Sequence, residues 1–136
     1  MINLPIFIKL QRQHCLVVGA GVVATRKIKQ LLTVDAQVFV VAPDVSDELK
    51  KINESGDINY IKQNYSEEHL EGKKLVIAAT NDERLNTEIA GHAKKKGILV
   101  NVVDNPEEGN FILPSIIDRN PIVIAVSTSG VAPVLT

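Results

Sequence analysis

The strongest constraint on how this chain can fold is the stretch Cys15 to Arg26, Cys-Leu-Val-Val-Gly-Ala-Gly-Val-Val-Ala-Thr-Arg. Cys15 to Val18 is a short, wholly apolar run of the kind that forms a strand buried on both faces. Gly19, Gly21 and Ala24 follow it in the spacing G-x-G-x-x-A. Gly19 permits a tight turn out of the strand, and Gly21 has no Cβ to block a pyrophosphate from the backbone. Ala24 is small enough for the next helix to pack close to the sheet. From Val22 the periodic positions Val23, Lys27, Gln30 and Leu31 predict a helix ending near Val34-Asp35. The free N–H groups and positive dipole end of that helix would face the phosphate. Glycine pairs occur in many turns. Here the pair stands between a strand and a helix, which points to dinucleotide binding rather than a bare turn. The candidate phosphate contacts are therefore Gly19, Gly21, Val22 and Val23.

The same rhythm continues downstream. Apolar runs at Gln37–Ala42, Ile58–Ile61, Lys74–Ala79 and Ile98–Val103 read as strands. Helical segments are expected at Asp47–Glu54, in a short piece capped by Ser66, and from about Glu83 to Lys96 before Gly97. Alternation of this kind implies right-handed crossovers and a Rossmann-like, doubly wound parallel sheet. Leu4 to Leu10 reads as a leading strand, with Pro5 placing it at an edge or a strand start. Phe111–Ile117 and Ile122–Ser127, joined by Asp118-Arg119-Asn120-Pro121, read as a strand pair extending the sheet, with Pro114 at a bulge or edge.

Composition narrows the functional classes. The chain has 136 residues, enough for one domain with a real core. Its net charge of −1 disfavours a nucleic-acid binder, which would show a basic face. Lys94-Lys95-Lys96 is a basic cluster, and lysines before a glycine cap are expected from the helix dipole alone. No apolar run approaches the ~20 residues needed to span a bilayer, and the first residues lack signal-peptide character. The single cysteine, Cys15, excludes a disulfide framework within the chain. His14 reads as a turn residue, and no metal-ligand set stands at a useful spacing. The cytoplasm is the expected compartment.

In a parallel sheet the loops at the carboxyl ends of the strands line the ligand crevice. The second strand ends in Val41-Ala42-Pro43-Asp44, so the usual ribose-binding acid is displaced past a proline. Asp44 can reach the ribose hydroxyls, or Asp44 or Ser46 can cap the next helix. With no suitably placed arginine for a 2′-phosphate, NAD is expected over NADP. Thr80 and Asn81, after the fourth strand, are candidate cofactor neighbours or helix caps. Asp104 follows the fifth strand, where a nicotinamide ring would lie. It is a candidate general base, and an N-cap or Asx-turn role before Pro106 stands beside it.

The chain also resembles a known family. Leu4-Pro5-Ile6-Phe7, the Cys15–Ala24 stretch with Arg26-Lys27, Ala78-Ala79-Thr80-Asn81-Asp82 and Asn101-Val102-Val103-Asp104 look like segments of the siroheme synthase N-terminal domain. So do Phe111-Ile112-Leu113-Pro114-Ser115, Ile117-Asp118-Arg119, Pro121 and the Ala125–Pro133 segment. This is the precorrin-2 dehydrogenase family, and the likeness runs through essentially the whole chain. It implies NAD-dependent oxidation of precorrin-2, an acid-rich tetrapyrrole, to sirohydrochlorin. The family's essential aspartate falls on Asp104, and Pro43 and Asp44 border the cofactor. Some members also insert ferrous iron into the product. The family continues past Ser-Gly-x-x-Pro into helices that build a homodimer and cover the tetrapyrrole. This chain stops at Thr136, so its cofactor half is expected to be complete. That helical region is expected to be missing, with Val131, Val134 and Leu135 starting an uncovered helix and precorrin-2 poorly oxidised by this length of chain. The rival reading from another class is a regulatory module that senses NAD(H) without catalysis. Such modules typically keep an acid at the end of the second strand, where Ala42-Pro43 stands here.

Overall fold

Short apolar runs separated by turn residues and amphipathic segments can bury every strand only by stacking helices over a sheet. The computed structural model does this over residues 10–111, within the described residues 3–127. Strands β1 (His14–Val18), β2 (Gln37–Val41), β3 (Ile58–Ile61), β4 (Leu75–Ala78) and β5 (Leu99–Val102) pair in parallel in the order β3-β2-β1-β4-β5. Helices α1 (Val22–Leu32), α2 (Asp47–Glu54) and α3 (Glu83–Lys95) make the longer crossovers, and a 3-10 turn at Glu67–Leu70 lies in the connection from β3 to β4. The chain steps from β1 outward to β3, then returns to the other side of β1 as β4 and β5. This reversal between β1 and β4 is the switch point at which such sheets open a crevice.

The register aligns Val17 with Val40 on one side and with Ile77 on the other. Side chains alternate across the sheet with period two. Leu16, Val18, Val76, Ala78, Val100 and Val102 pack with Ile89, Ala90 and Ala93 of α3 and with Leu70. The alternate residues Cys15, Val17, Val38, Val40, Leu75 and Ile77 are equally buried, as are Ala24, Ile28 and Leu31 of α1. Truncating fully buried Ile89 to alanine would cost ~2–5 kcal/mol.

The predicted elements form with ends shifted by a few residues, and three details differ. The Ser66 segment is a 3-10 turn rather than an α-helix. His14 opens β1 instead of lying in the turn, with its ring 5.1 Å from that of Phe39. Residues 4–9 form no strand. Pro5 lacks an N–H for a ladder, and Leu4, Ile6 and Phe7 are exposed.

The expected strand pair forms, as β6 (Ser115–Arg119) and β7 (Ile122–Val126), antiparallel and joined through a cis Asn120–Pro121 peptide. It makes its own two-stranded sheet instead of extending the parallel one. It belongs to a second compact unit that includes described residues 3–9 and 112–127. The reason lies at the edge of β5, which is already occupied. Asn110 donates its backbone N–H to the Val100 carbonyl at 2.9 Å, and its side-chain oxygen accepts from the Val100 N–H at 2.7 Å. Its amide nitrogen donates to the Ile98 carbonyl at 3.2 Å. One asparagine thus satisfies the groups a sixth strand would need, a usual way of blunting an edge. The segment at 128–136, including the Val131–Leu135 helix start expected from the sequence, lies outside the described residues.

Candidate functional site

Hydrogen bonding continues beyond the ends of the strands and fixes the carboxyl edge of the sheet. Gly19 N–H donates to the Val41 carbonyl at 2.9 Å, and Ala79 N–H donates to the Val18 carbonyl at 2.9 Å. Val103 N–H donates to the Ala78 carbonyl at 3.0 Å. The first loop residues after β1, β4 and β5 are therefore held as firmly as the strands. The candidate residues of the sequence analysis lie on these loops, on the one after β2, or, for Val22 and Val23, in the first turn of α1. Asp44 and Asp104 stand past β2 and β5, strands that lie on opposite sides of β1 and three strand spacings, or ~14 Å, apart.

The two glycines do different jobs. Gly19 has φ +119°, and a Cβ there would sit 2.4 Å from the Ala79 carbonyl oxygen. Only glycine allows β1 to turn so close to the loop after β4. Gly21 has an ordinary φ of −87° and is the N-cap of α1. A Cβ on Gly21 would meet nothing within 4 Å, so its side is open. No side chain caps α1, and its first turn holds no acid. The first-turn N–H groups of Val22, Val23 and Ala24 thus lack a capping side chain, at the positive end of the helix dipole. Open space beside uncapped donors fits a dinucleotide pyrophosphate. Val22, 81% exposed, stands at the same end. Further along α1, half-buried Lys27 has its pKa lowered, chiefly by burial and then by neighbouring Arg26.

Beyond β2, the two alternatives for Asp44 separate. Ser46 caps α2, its hydroxyl accepting from Leu49 N–H at 3.3 Å, so Asp44 is left out of that role. Asp44 instead lines a cavity of about 330 Å³ with Val45, Lys50, Asn53, Glu54, Tyr60 and Lys62. The Tyr60 hydroxyl donates to the Ala42 carbonyl at 2.9 Å. Its pKa is raised, first by burial and then by the Asp44 carboxylate nearby. Pro43 is exposed between this cavity and the strand end.

The loop after β4 is built from within. Asp82, not Thr80 or Asn81, caps α3, accepting from Arg84 N–H at 3.0 Å and Leu85 N–H at 3.3 Å. Buried Asn86 holds Thr80 by three hydrogen bonds. Its side-chain oxygen accepts from the Thr80 N–H at 3.2 Å and from the Thr80 hydroxyl at 2.6 Å. Its amide donates to the Thr80 carbonyl at 3.1 Å. The Thr80 side chain is thus engaged inside the loop, while Asn81 is exposed. Sequence reasoning passed over Asn86. The available signal was a polar residue on the stripe Asn86, Ile89, Ala90 and Ala93, the face that α3 buries.

Asp104 lies two residues past β5 with φ +65°, a left-handed conformation that aspartate tolerates better than most residues. It is exposed, and its carboxylate has no hydrogen-bond or ion-pair partner among the described residues. The N-cap of the following 3-10 turn (Pro106–Glu108) is Asn105, so the capping role considered for Asp104 is not the one observed. The loop is tied back by Thr87, whose hydroxyl donates to the Glu108 carboxylate at 2.7 Å. Among the described residues no group of three or more His, Cys, Asp or Glu side chains is placed to hold a metal ion. No helix among them is long and apolar enough to cross a membrane.

Comparison with known proteins agrees with this geometry. Residues 6–115 match a family described as putative NAD(P)-binding, which covers NAD, the cofactor expected from the sequence. The chain is 45% identical over 133 residues to a siroheme synthase of Nitrosomonas europaea, covering 97% of this chain and 28% of that protein. It is 48% identical over 132 residues to a siroheme synthase of Psychromonas ingrahamii, again 97% of this chain and 28% of the other. A solved structure titled "SirC, precorrin-2 dehydrogenase" superposes with a TM-score of 0.84 at 33% identity, covering 98% of this chain and 65% of that one. The chain thus spans little more than a quarter of the length of these siroheme synthases.

Proposed function

The chain belongs to this NAD(P)-binding family, as the siroheme synthase N-terminal domain, and on that premise we propose that it oxidises precorrin-2 to sirohydrochlorin with NAD. The observation that carries the reading is the pairing of an uncapped α1 N-terminus with an Asp104 carboxylate that has no partner among the described residues, across the switch point. When bound, NAD supplies the hydride acceptor. The backbone from Gly19 to Val23 holds the pyrophosphate, Pro43 and Asp44 border the adenosine ribose, and Thr80 and Asn81, after β4, shape the wall between the phosphate turn and Asp104. Asp104 takes the proton that leaves the tetrapyrrole as the hydride departs. Its exposed carboxylate, without a partner among the described residues, is suited to a substrate that must come to it.

Asp44 also favours NAD over NADP, because a carboxylate beside the ribose repels a 2′-phosphate. In the full-length protein we place this domain in a cytoplasmic homodimer. The exposed apolar side chains Ile116, Ile122, Val123 and Ile124 of the hairpin support such an interface, since surface of this kind marks a partner. Iron insertion rests on family resemblance alone, so the proposal stops at oxidation.

The test is NADH formation from precorrin-2 and NAD by the full-length protein, with and without Asp104→Asn. A positioned base contributes ~10²–10⁴-fold, so the variant should lose that much turnover with NAD affinity unchanged. Near-normal turnover would make Asp104 a turn residue only. NAD binding with no turnover in the wild type would favour the regulatory module instead.

A further inference from the structure

Asn86 is 5% exposed on a helix face otherwise made of Ile89, Ala90 and Ala93. A buried amide is costly unless its hydrogen bonds are made. All three of those it makes go to one residue, Thr80, and they engage the backbone N–H, the backbone carbonyl and the side chain together. A contact of that kind restrains both the position and the rotation of Thr80. Thr80 in turn accepts the Asp82 N–H on its hydroxyl at 3.2 Å, which closes the turn that caps α3.

The other side of this loop touches the phosphate turn. A Cβ on Gly19 would lie 2.4 Å from the Ala79 carbonyl oxygen, 2.8 Å from its carbon and 3.2 Å from the Thr80 nitrogen. The Gly19 backbone therefore rests directly on the Ala79–Thr80 peptide, while its N–H is held by Val41 on the opposite side. The turn sits between two supports. One is the β2 ladder, and the other is a peptide that, among the described side chains, Asn86 alone fixes.

We propose that Asn86 is a positioning residue of the cofactor site, locking the Ala79–Thr80 peptide against Gly19 so that the uncapped end of α1 keeps its pyrophosphate-binding geometry. The inference rests on the cofactor reading given above. Asn86 touches no cofactor; it acts through Thr80 and Gly19. Without it the strand ladders remain, and the loop is free to rotate away from the turn.

The experiment measures NAD affinity by calorimetry and thermal midpoint in the full-length protein for Asn86→Leu, Asn86→Asp and Gly21→Val. A stability-matched core variant, Ile89→Val, serves as the comparison. Asn86→Leu removes all three bonds and should weaken NAD binding at least about tenfold, equivalent to ~1.4 kcal/mol. Asn86→Asp keeps the acceptor and loses the donor, so it should fall between Asn86→Leu and wild type. Ile89→Val should melt lower yet bind NAD normally, which a merely structural role for Asn86 would not distinguish. If Asn86→Leu does not fold, Asn86→Asp decides, together with amide exchange at Thr80, which should speed up. Wild-type affinity and wild-type Thr80 exchange in Asn86→Asp, with Gly21→Val unable to bind, would overturn the role of Asn86 and leave the cofactor reading intact. Normal binding by Gly21→Val would overturn both.

Discussion

The N-termini of α1 and α3 face the same edge of the same sheet, yet they are finished in opposite ways. At α3, Asp82 accepts from two backbone N–H groups and Glu83 adds negative charge to the first turn. At α1, Gly21 offers no side chain and no acid follows it. Capping is worth ~1 kcal/mol, and serine, aspartate or asparagine is readily found at such positions, as Ser46 shows at α2. A helix that forgoes a cap beside open space keeps its donors for something else. One end is completed by the chain; the other is left open, as the proposed pyrophosphate site requires.

The comparison can be broken most severely at Gly19, on which the α1 end is mounted. Gly19→Ala combines a disfavoured φ with overlap against the Ala79 carbonyl, and should lower stability by about 3 kcal/mol. Chemical denaturation of the variant checks this, and Gly21→Ala, with open space around it, should remain within about 1 kcal/mol of wild type. The next largest effect concerns what the open end selects. Asp44→Ser removes the carboxylate from a cavity that also holds Lys50 and Lys62, and should narrow the preference for NAD over NADP about tenfold, or ~1.4 kcal/mol. The ratio of kcat/KM with the two cofactors measures it. Asp82→Ala, at the completed end, should cost ~1 kcal/mol of stability.

The smallest effect is a control that leaves both helix ends alone. Burial raises the Cys15 thiol from its ordinary value of 9.0 to about 11. The folded chain holds that proton more tightly than the unfolded one. The corresponding stability is present below pH 9 and is lost as pH rises through about 11. At neutral pH Cys15 should resist alkylation until the domain unfolds, as mass spectrometry after a timed exposure would report.

The glycine turn was legible because its constraints are local. Gly19 and Gly21 fall between an apolar strand and a helical period, and each can be read from its immediate neighbours. The five parallel strands were legible for a similar reason, as apolar runs too short for anything but buried strands. Cap choice was not. Thr80, Asn81 and Asp82 are all competent caps, and the selection of Asp82 follows from Asn86 drawing Thr80 inward, a contact made only in the folded chain. The same holds for the hairpin. Residues 115–126 read correctly as a strand pair, but the side chain that closes the β5 edge to them belongs to Asn110, whose amide resembles an ordinary loop residue in sequence. Asp104 lies on the loop after β5, where its place in the sequence put it, and its freedom from a capping role became visible only once Asn105 was seen to occupy the cap.

The most direct measurement makes α1 resemble α3. Gly21→Asp supplies the missing cap and the missing charge in one change, at a position where the added side chain meets open space. Calorimetric titration with NAD and thermal melting, run on the same preparation, read the two consequences. The expected result is a melting temperature equal to or slightly above wild type, since an N-cap aspartate exceeds glycine by a few tenths of a kcal/mol, together with loss of NAD binding. Retained NAD affinity in a folded Gly21→Asp protein would contradict the assignment of the α1 end to the cofactor phosphate.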